Sequence, residues 1–444
     1  MIIGAGLFAC LLAAVVLGVT VVMGSRHSEL RLSPHRVTTA HLQAAYPFMC
    51  EGGLGGRGVY IGQEILGGSF TYDPWELYGR NLLTNPNIVI AGQVGRGKSS
   101  LTKCWLWREQ VFGRKAAIMD PKGEYGDLAA ALGVEPIRLA PGAGARLNPL
   151  DPGPGAADLG PEEVSRRQSG LLQSVAAAAL GRGLAPREKV ACDLALAAVA
   201  EAGVAQPTLI HVVEALLAPT GEIASRIRAT AEDLARSSHD VALELRRLCE
   251  GDLRGMFDGP TSVEVDWEGP AVILDLSELF HSDALGMLMT CATAWLQAAI
   301  ARPGAGKRII VVDEAWAILR NLGIARWLQA SFKLSRSYGV SNVCVIHRLS
   351  DLKAAGAEGS EAVRLAQGLL SDAETRIVYS QPPGEVEAAV DLLGLTQTEA
   401  ELLPALGRGV ALWKVAQRSY LVEHHLGTAE RMFVDTDARM GVGI

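Results

Sequence analysis

Eight residues, Gly92-Gln93-Val94-Gly95-Arg96-Gly97-Lys98-Ser99, have the types and spacing needed to grip a chain of phosphates. Three glycines let the backbone N–H groups turn inward around anionic oxygens, and a helix starting there aims its positive end at the same charge. In this GxxxxGK[ST] pattern Lys98 reaches the β and γ phosphates, and Ser99 ligates Mg²⁺. Ser100 extends the cradle into the helix. Eight residues can match by chance, so context matters: the apolar run Ile88-Val89-Ile90-Ala91 precedes the loop as a strand, and a helical stretch follows.

Hydrolysis needs a second half to the site, a carboxylate at the end of a neighbouring strand. The segment RIIVVDEAW supplies Asp313 and Glu314 directly after an apolar run. Asp313 is placed to hold Mg²⁺ through water, and Glu314 to orient or deprotonate the attacking water. An acidic pair after a strand can also merely cap a helix, but the cradle upstream favours the chemical reading. A third element, IMDPKGEYGDL, puts Asp120 at the end of another strand, where it can meet the water network around the nucleotide. Lys122 and Glu124 fit either that site or a solvated turn. Asp120-Pro121-Lys122-Gly123 also fits the DxxG of GTPases. No NKxD guanine-reading stretch follows, so ATP is the expected nucleotide, with Mg²⁺.

Elements must position these residues. Short apolar runs at Ala116–Met119, Ala271–Leu276, Arg308–Val312, Asn342–Ile346 and Arg376–Tyr379 join Ile88–Ala91 as strands. They lack clean alternation, as strands do when helices cover both faces of a parallel sheet. Helical segments fall between them, which predicts an α/β domain with a doubly wound, mainly parallel sheet. Residues 155–255 are alanine-rich with helical periodicity between glycine and proline breaks, an all-helical insertion. Residues 81–154 and 256–444 then form the nucleotide-binding domain. Residues 25–80 read as a connector with short strands, in which Tyr72, Asp73 and Trp75 read as packing.

Met1 to Gly24 carries no charged side chain. At about 1.5 Å per residue it is long enough for a hydrocarbon core of about 30 Å. Arg26, Arg31 and Arg36 follow it with nothing basic before, so the positive-inside bias leaves the rest of the chain in the cytoplasm. A cleaved signal peptide would need a basic n-region and a shorter apolar run. The expectation is a single-pass membrane anchor. Seven scattered cysteines without metal-ligand spacing read as small core residues. A net charge of −7 excludes a broad nucleic-acid-coating surface, though not a narrow basic channel.

Taken together, GQVGRGKSS, DPKGEY, RLNPLD, VVDEAW and the tail GLTQTEAELLPALGRGVALW resemble the motor ATPases of conjugation and type IV secretion systems. The likeness is to the TraC/TraE type within the HerA/FtsK group and runs from about Gly58 to Met440. In the late HLGTAERMFVDTD, Glu430 and Asp437 fall in the order seen where such domains end. The resemblance implies a RecA-like P-loop NTPase, a homo-hexameric ring hydrolysing ATP at subunit interfaces, and partners in a secretion or conjugation apparatus. It implies a sensor residue beyond the acidic pair, where His347 stands in place of the usual glutamine, and a basic finger reaching a neighbour's γ-phosphate. Arg336 and Arg376 are the candidates for that finger. Family members of the TraC/TraE type usually carry a long N-terminal domain, whereas an apolar stretch followed by the motor is the layout of TraG/TraD coupling proteins. DNA as cargo stays open on that ground.

Overall fold

The computed structural model describes residues 53–434, apart from residues 66, 154–159, 252, 281–284, 301–305, 316–328, 330, 331, 334, 348 and 351–360. The expected span at Met1 to Gly24, its flanking arginines and Asp437 lie outside the described residues. Among the described residues, no helix is long and apolar enough to cross a membrane.

The chain enters through β1 (Val59–Glu64), β2 (Ser69–Tyr72) and α1 (Pro74–Gly79). Asp73 caps α1, its Oδ1 accepting from the backbone N–H of Trp75 at 2.7 Å and of Glu76 at 3.0 Å. Next come β3 (Ile88–Ala91), α2 (Lys98–Glu109), β4 (Lys115–Asp120), α3 (Gly126–Leu132) and β5 (Ile137–Arg138). A helical excursion follows: α4 (Pro161–Ala179), α5 (Pro186–Glu201), α6 (Leu209–Leu217), α7 (Gly221–Ser225) and α8 (Ala231–Glu250). The chain returns through β6 (Ala271–Asp275), α9 (Leu285–Ile300), β7 (Arg308–Val312), β8 (Val340–Ile346), α10 (Glu361–Asp372) and β9 (Thr375–Tyr379). It closes with α11 (Pro383–Leu393), α12 (Gln397–Leu402), β10 (Val410–Val415), β11 (Arg418–His424) and α13 (Arg431–Val434).

All eleven strands form one sheet in the order β2-β1-β11-β10-β9-β3-β8-β7-β4-β6-β5. From β9 to β5 the pairing is parallel, and from β2 to β9 it is antiparallel. Successive side chains along a strand point to opposite faces, and that alternation divides the core in two. Val89, Ala91, Ala117 and Met119 face one cluster, together with the helices α4 to α8. Ile88, Ile90, Ala116 and Ile118 face the other, with α2 and α3. The phosphate-loop helix and the helical excursion thus occupy opposite faces of the sheet.

Prolines and threonines start the helices of the excursion. Pro161 and Pro186 sit in the first turns of α4 and α5, where a missing N–H costs nothing. Thr230 caps α8 by accepting from Asp233 N at 3.1 Å.

Three features differ from the sequence reading. The strands of the connector, β1 and β2, are part of the main sheet, because β1 pairs with β11. The β10–β11 hairpin is an additional arm of that sheet. Finally, β7 does not neighbour β3; β8 lies between them, so the acidic pair stands one strand removed from the cradle. The described cysteines Cys104, Cys192, Cys249, Cys291 and Cys344 are all buried and free.

Candidate nucleotide site

The cradle is built where β3 runs out. Gly92, Gly95 and Gly97 have φ of 153°, 76° and 115°, values that side chains rarely adopt. Gly92 is also packed against the next strand: a Cβ there would lie 2.5 Å from Tyr379 Cβ. The loop is pinned from three sides, with Gly92 N donating to Ile346 O at 3.3 Å, Gln93 N to Ser380 O at 3.1 Å, and Gly409 N to Arg96 O at 2.9 Å. Lys98 opens α2 and folds back across the loop, its Nζ donating to Gly92 O at 2.6 Å and Gln93 O at 3.0 Å. Arg96 reaches Gln93 Oε1 at 3.2 Å. Burial pushes the Lys98 ammonium down to about 8, a cost partly offset by the nearby charges of Asp313 and Glu314.

At the end of β7 both acids are buried, Asp313 at 5 % exposure and Glu314 at 2 %. Asp313 Oδ2 accepts from Tyr125 Oη at 3.2 Å, and its Oδ1 from Glu314 N at 2.9 Å. Burial, and then the adjacent Glu314 charge, hold the Asp313 carboxyl above its usual range. Glu314 has φ of 52°, a left-handed conformation that a glutamate adopts only under constraint. Its Oε1 meets the Lys122 ammonium and, at 2.6 Å, His347 Nε2. Burial works against its charge, yet the bonds from His347 and Lys122 win and hold the carboxyl well below the usual range.

Asp313, Glu314 and His347 each bring one ligating atom within 4.8 Å of the others. A histidine nitrogen is a poor donor for a hard divalent ion, and Lys122 already supplies the compensating cation. The trio is a polar knot. The oxygen donors suited to Mg²⁺ are the Ser99 hydroxyl, which lines the cleft, and the Asp313 carboxylate.

A cleft of about 550 Å³ opens over the cradle, with Val94, Gly95, Gly97, Lys98, Ser99 and Ser100 on one wall. Lys122, Glu124 and His347 form another wall, and Arg408, Leu426, Arg431 and Val434 complete it. Its volume and polar lining suit a nucleotide. A cavity of about 270 Å³ in the helical layer is lined mainly by apolar side chains, six of them alanines, and its one histidine, His211, is tied to Thr208 at 2.8 Å.

Val94, Gly95, Gly97, Lys98, Ser99, Ser100 and His347 line this cleft and Glu314 is tied to Lys122 and His347 on its wall, whereas Asp120, Arg336 and Arg376 are not lining residues. Asp120 is spent on its own loop: its carboxylate accepts from the N–H groups of Lys122, Glu124 and Tyr125 at 3.2, 3.0 and 2.9 Å. It frames the loop whose Lys122 and Glu124 line the cleft, and is not itself a lining residue. Arg336 is exposed just before β8 begins, and Arg376 is half-buried near the start of β9, its Nη2 donating to Ser371 O at 3.0 Å. Both stand at the entry edge of the sheet, whereas the cradle is at the exit edge, so neither serves the site of its own chain. Conversely, Arg408 and Arg431 reach the cleft from within GLTQTEAELLPALGRGVALW and HLGTAERMFVDTD, segments that the sequence pointed to without singling out either arginine. Tyr125, the last residue of DPKGEY, reaches Asp313 from that turn.

Glu430 works as a clamp, accepting from both Arg108 Nε and Nη2 at 2.6 Å. Arg108, on α2, also donates to Tyr60 O at 2.5 Å and His425 O at 2.6 Å. The cradle helix is thereby fastened to β1 and to the C-terminal segment.

No protein-family model matches the sequence, and no curated protein does. Solved structures do match. VirB4 of Thermoanaerobacter pseudethanolicus superposes with a TM-score of 0.68 at 24% identity, over 86% of this chain and 100% of that one. The plasmid coupling protein TrwB, in complex with the ATP analogue ADPNP, gives a TM-score of 0.55 at 15% identity, over 79% of this chain and 87% of its own. TrwB in complex with ADP and Mg²⁺ gives 0.54 at 14%, over 77% and 86%. At these identities the likeness concerns the fold: this chain has a mixed α/β, mostly parallel-sheet architecture of the RecA-like P-loop ATPase kind, similar to that of VirB4 and TrwB.

Proposed function

We propose that this chain is an ATP-hydrolysing motor that powers a conjugation- or type IV secretion-like transfer apparatus. One observation carries the reading: a buried acidic pair, with Glu314 on constrained backbone, stands beside a preformed phosphate cradle and is tied to the wall of the same cleft. The complexes of TrwB with ADPNP and with ADP and Mg²⁺ support ATP and Mg²⁺ as the ligands here.

In this reading the N–H groups of the cradle and the start of α2 bind the phosphates. Lys98 exchanges its two carbonyl partners for phosphate oxygens. Ser99 and Asp313 hold Mg²⁺, which when bound neutralises charge on the phosphates and aligns them. Glu314 orients the attacking water, with His347 beside it in the sensor position. Arg408 and Arg431 add positive charge around the cleft. The finger completing the site belongs to a neighbouring subunit of a homo-hexamer, and exposed Arg336 is better placed to leave its own chain than half-buried Arg376. Met1 to Gly24 anchors the motor to the cell membrane, with the ATPase domain in the cytoplasm.

A second reading, a DNA coupling protein or DNA-translocating ATPase, is supported by the likeness to TrwB. Phosphate release by the full chain in detergent, with Mg²⁺, tests both. Wild type should turn over and Lys98→Ala should not. Stimulation by duplex DNA that fades with added salt favours the second reading, and indifference to DNA the first. No phosphate release from an oligomeric sample overturns both and leaves a nucleotide-binding scaffold.

A further inference from the structure

Lys122 has no assigned role in ATP hydrolysis, yet the fold invests heavily in its position. The loop carrying it is locked by the Asp120 carboxylate, which accepts three of its backbone N–H groups. Gly123, with φ of 69°, makes the turn possible and packs so closely on Ser277 that an added Cβ would lie 3.2 Å from its Oγ. The loop is therefore fixed by its own carboxylate and by the end of β6. From this frame the Lys122 ammonium crosses to Glu314, at the end of the adjacent strand β7, and stands 3.3 Å from His347 Nε2, at the end of β8. Three strand ends thus converge on one carboxylate oxygen.

The exposures order these groups. Glu314 is 2 % exposed and the Lys122 side chain 28 %, and Lys122 lines the cleft beside Lys98 and Ser99. The ammonium forms a bridge with one side on the buried acid and the other open to the place where phosphates bind. A buried carboxylate on left-handed backbone has few ways to aim itself, and two groups that meet its Oε1 come from just beyond the ends of other strands. Catalysis by a positioned group is sensitive to displacements of about 1 Å, which can cost about a hundredfold.

We propose that Lys122 is a positioning residue for ATP hydrolysis: it fixes the Glu314 carboxylate in the orientation from which that group addresses the attacking water. This rests on the reading of Glu314 as the water-orienting acid. In this role Lys122 acts through Glu314, whose carboxylate its ammonium contacts, rather than as a ligand of the nucleotide.

The test is a double-mutant cycle in the full chain, with Lys122→Met, Lys122→Arg, Glu314→Gln and the Lys122→Met/Glu314→Gln pair. Single-turnover rates with enzyme in excess keep slow variants measurable, and a fluorescent ATP analogue reports binding. Lys122→Met should lower kcat about 100-fold while KM and analogue affinity stay within about twofold of wild type. Lys122→Arg should recover part of the rate. In the Glu314→Gln background, Lys122→Met should cost nothing further, since its partner is already disabled. A raised KM with kcat preserved would make Lys122 a phosphate ligand and overturn the proposal. Equal losses in both backgrounds would also overturn it, as would a lowered melting temperature with no rescue by arginine. Failure of the underlying ATPase reading is distinguishable, because wild type would then release no phosphate that depends on Lys98 and Glu314.

Discussion

At the scale of single residues, the site is held together by groups that satisfy one another before any ligand arrives. Lys98 spans its own loop, and Asp313 and Glu314 divide their oxygens among Tyr125, Lys122 and His347. The motif residues Lys98, Ser99, Asp313 and Glu314 were legible because the chemistry demands those types at that spacing. Asp120 was not, because an acid after a strand looks the same whether it meets a ligand or frames its own turn. The reach of Lys122 to Glu314 and the places of Arg408 and Arg431 on the cleft wall depend on which segments lie side by side, which no local pattern states. A test at this scale concerns Tyr125, whose hydroxyl orients Asp313. Outer partners of a metal-holding carboxylate typically matter about 10-fold or more in metal affinity. Tyr125→Phe should therefore raise the Mg²⁺ concentration for half-maximal hydrolysis about 10-fold, with near-normal kcat at saturation. A Mg²⁺ titration checks it, and an unchanged midpoint would remove Asp313 from the metal's surroundings.

At the scale of elements, most strands of the parallel half and the short strands of the connector were readable, and the β10–β11 hairpin was not. Continuous apolar runs mark β3, β4, β6, β7, β8 and β9. The hairpin of β10 and β11 lacks its usual sign, since its two-residue turn is Ala416-Gln417 and Ala416 adopts φ of 51° without the customary Asn-Gly. The pairing of β1 with β11 depends on Gly62, where a Cβ would fall 1.9 Å from Glu423 O. Gly62→Ala should loosen β1 and with it the clamp on α2, seen as faster amide exchange along β1 and β11. Arg108→Met leaves Glu430 buried without its partner and should cost about 3 kcal/mol of stability, measured by chemical denaturation. His424, at the end of β11, is half-buried beside Arg108, and desolvation followed by that charge lowers its folded pKa to about 4. The unfolded chain binds a proton there near pH 6.5 while the folded one refuses it until about 4. Stability should be undiminished above that window and fall as pH drops through it. His424→Gln should flatten this part of the curve.

At the scale of the molecule, the sheet separates two layers, with the cradle helix α2 on one face and α4 to α8 on the other. The helical character of residues 155–255 could be read from alanine content and glycine or proline breaks. Their seat on the face opposite α2 could not, because it follows from how the sheet strands alternate. The two candidate fingers stand at the edge of the sheet away from their own cleft, so assembly is the natural place to test them. If Arg336 completes a neighbour's site, Arg336→Ala should stop hydrolysis, and mixing it with Lys98→Ala subunits should restore turnover at the mixed interfaces. No recovery on mixing would place the finger elsewhere. The central claim is that this cleft binds ATP and that Glu314 makes it react. Glu314→Gln, measured in parallel for analogue binding and single-turnover phosphate release, tests it most directly. Binding at wild-type affinity with release slowed about 100-fold or more is the expected result; release at the wild-type rate would contradict it.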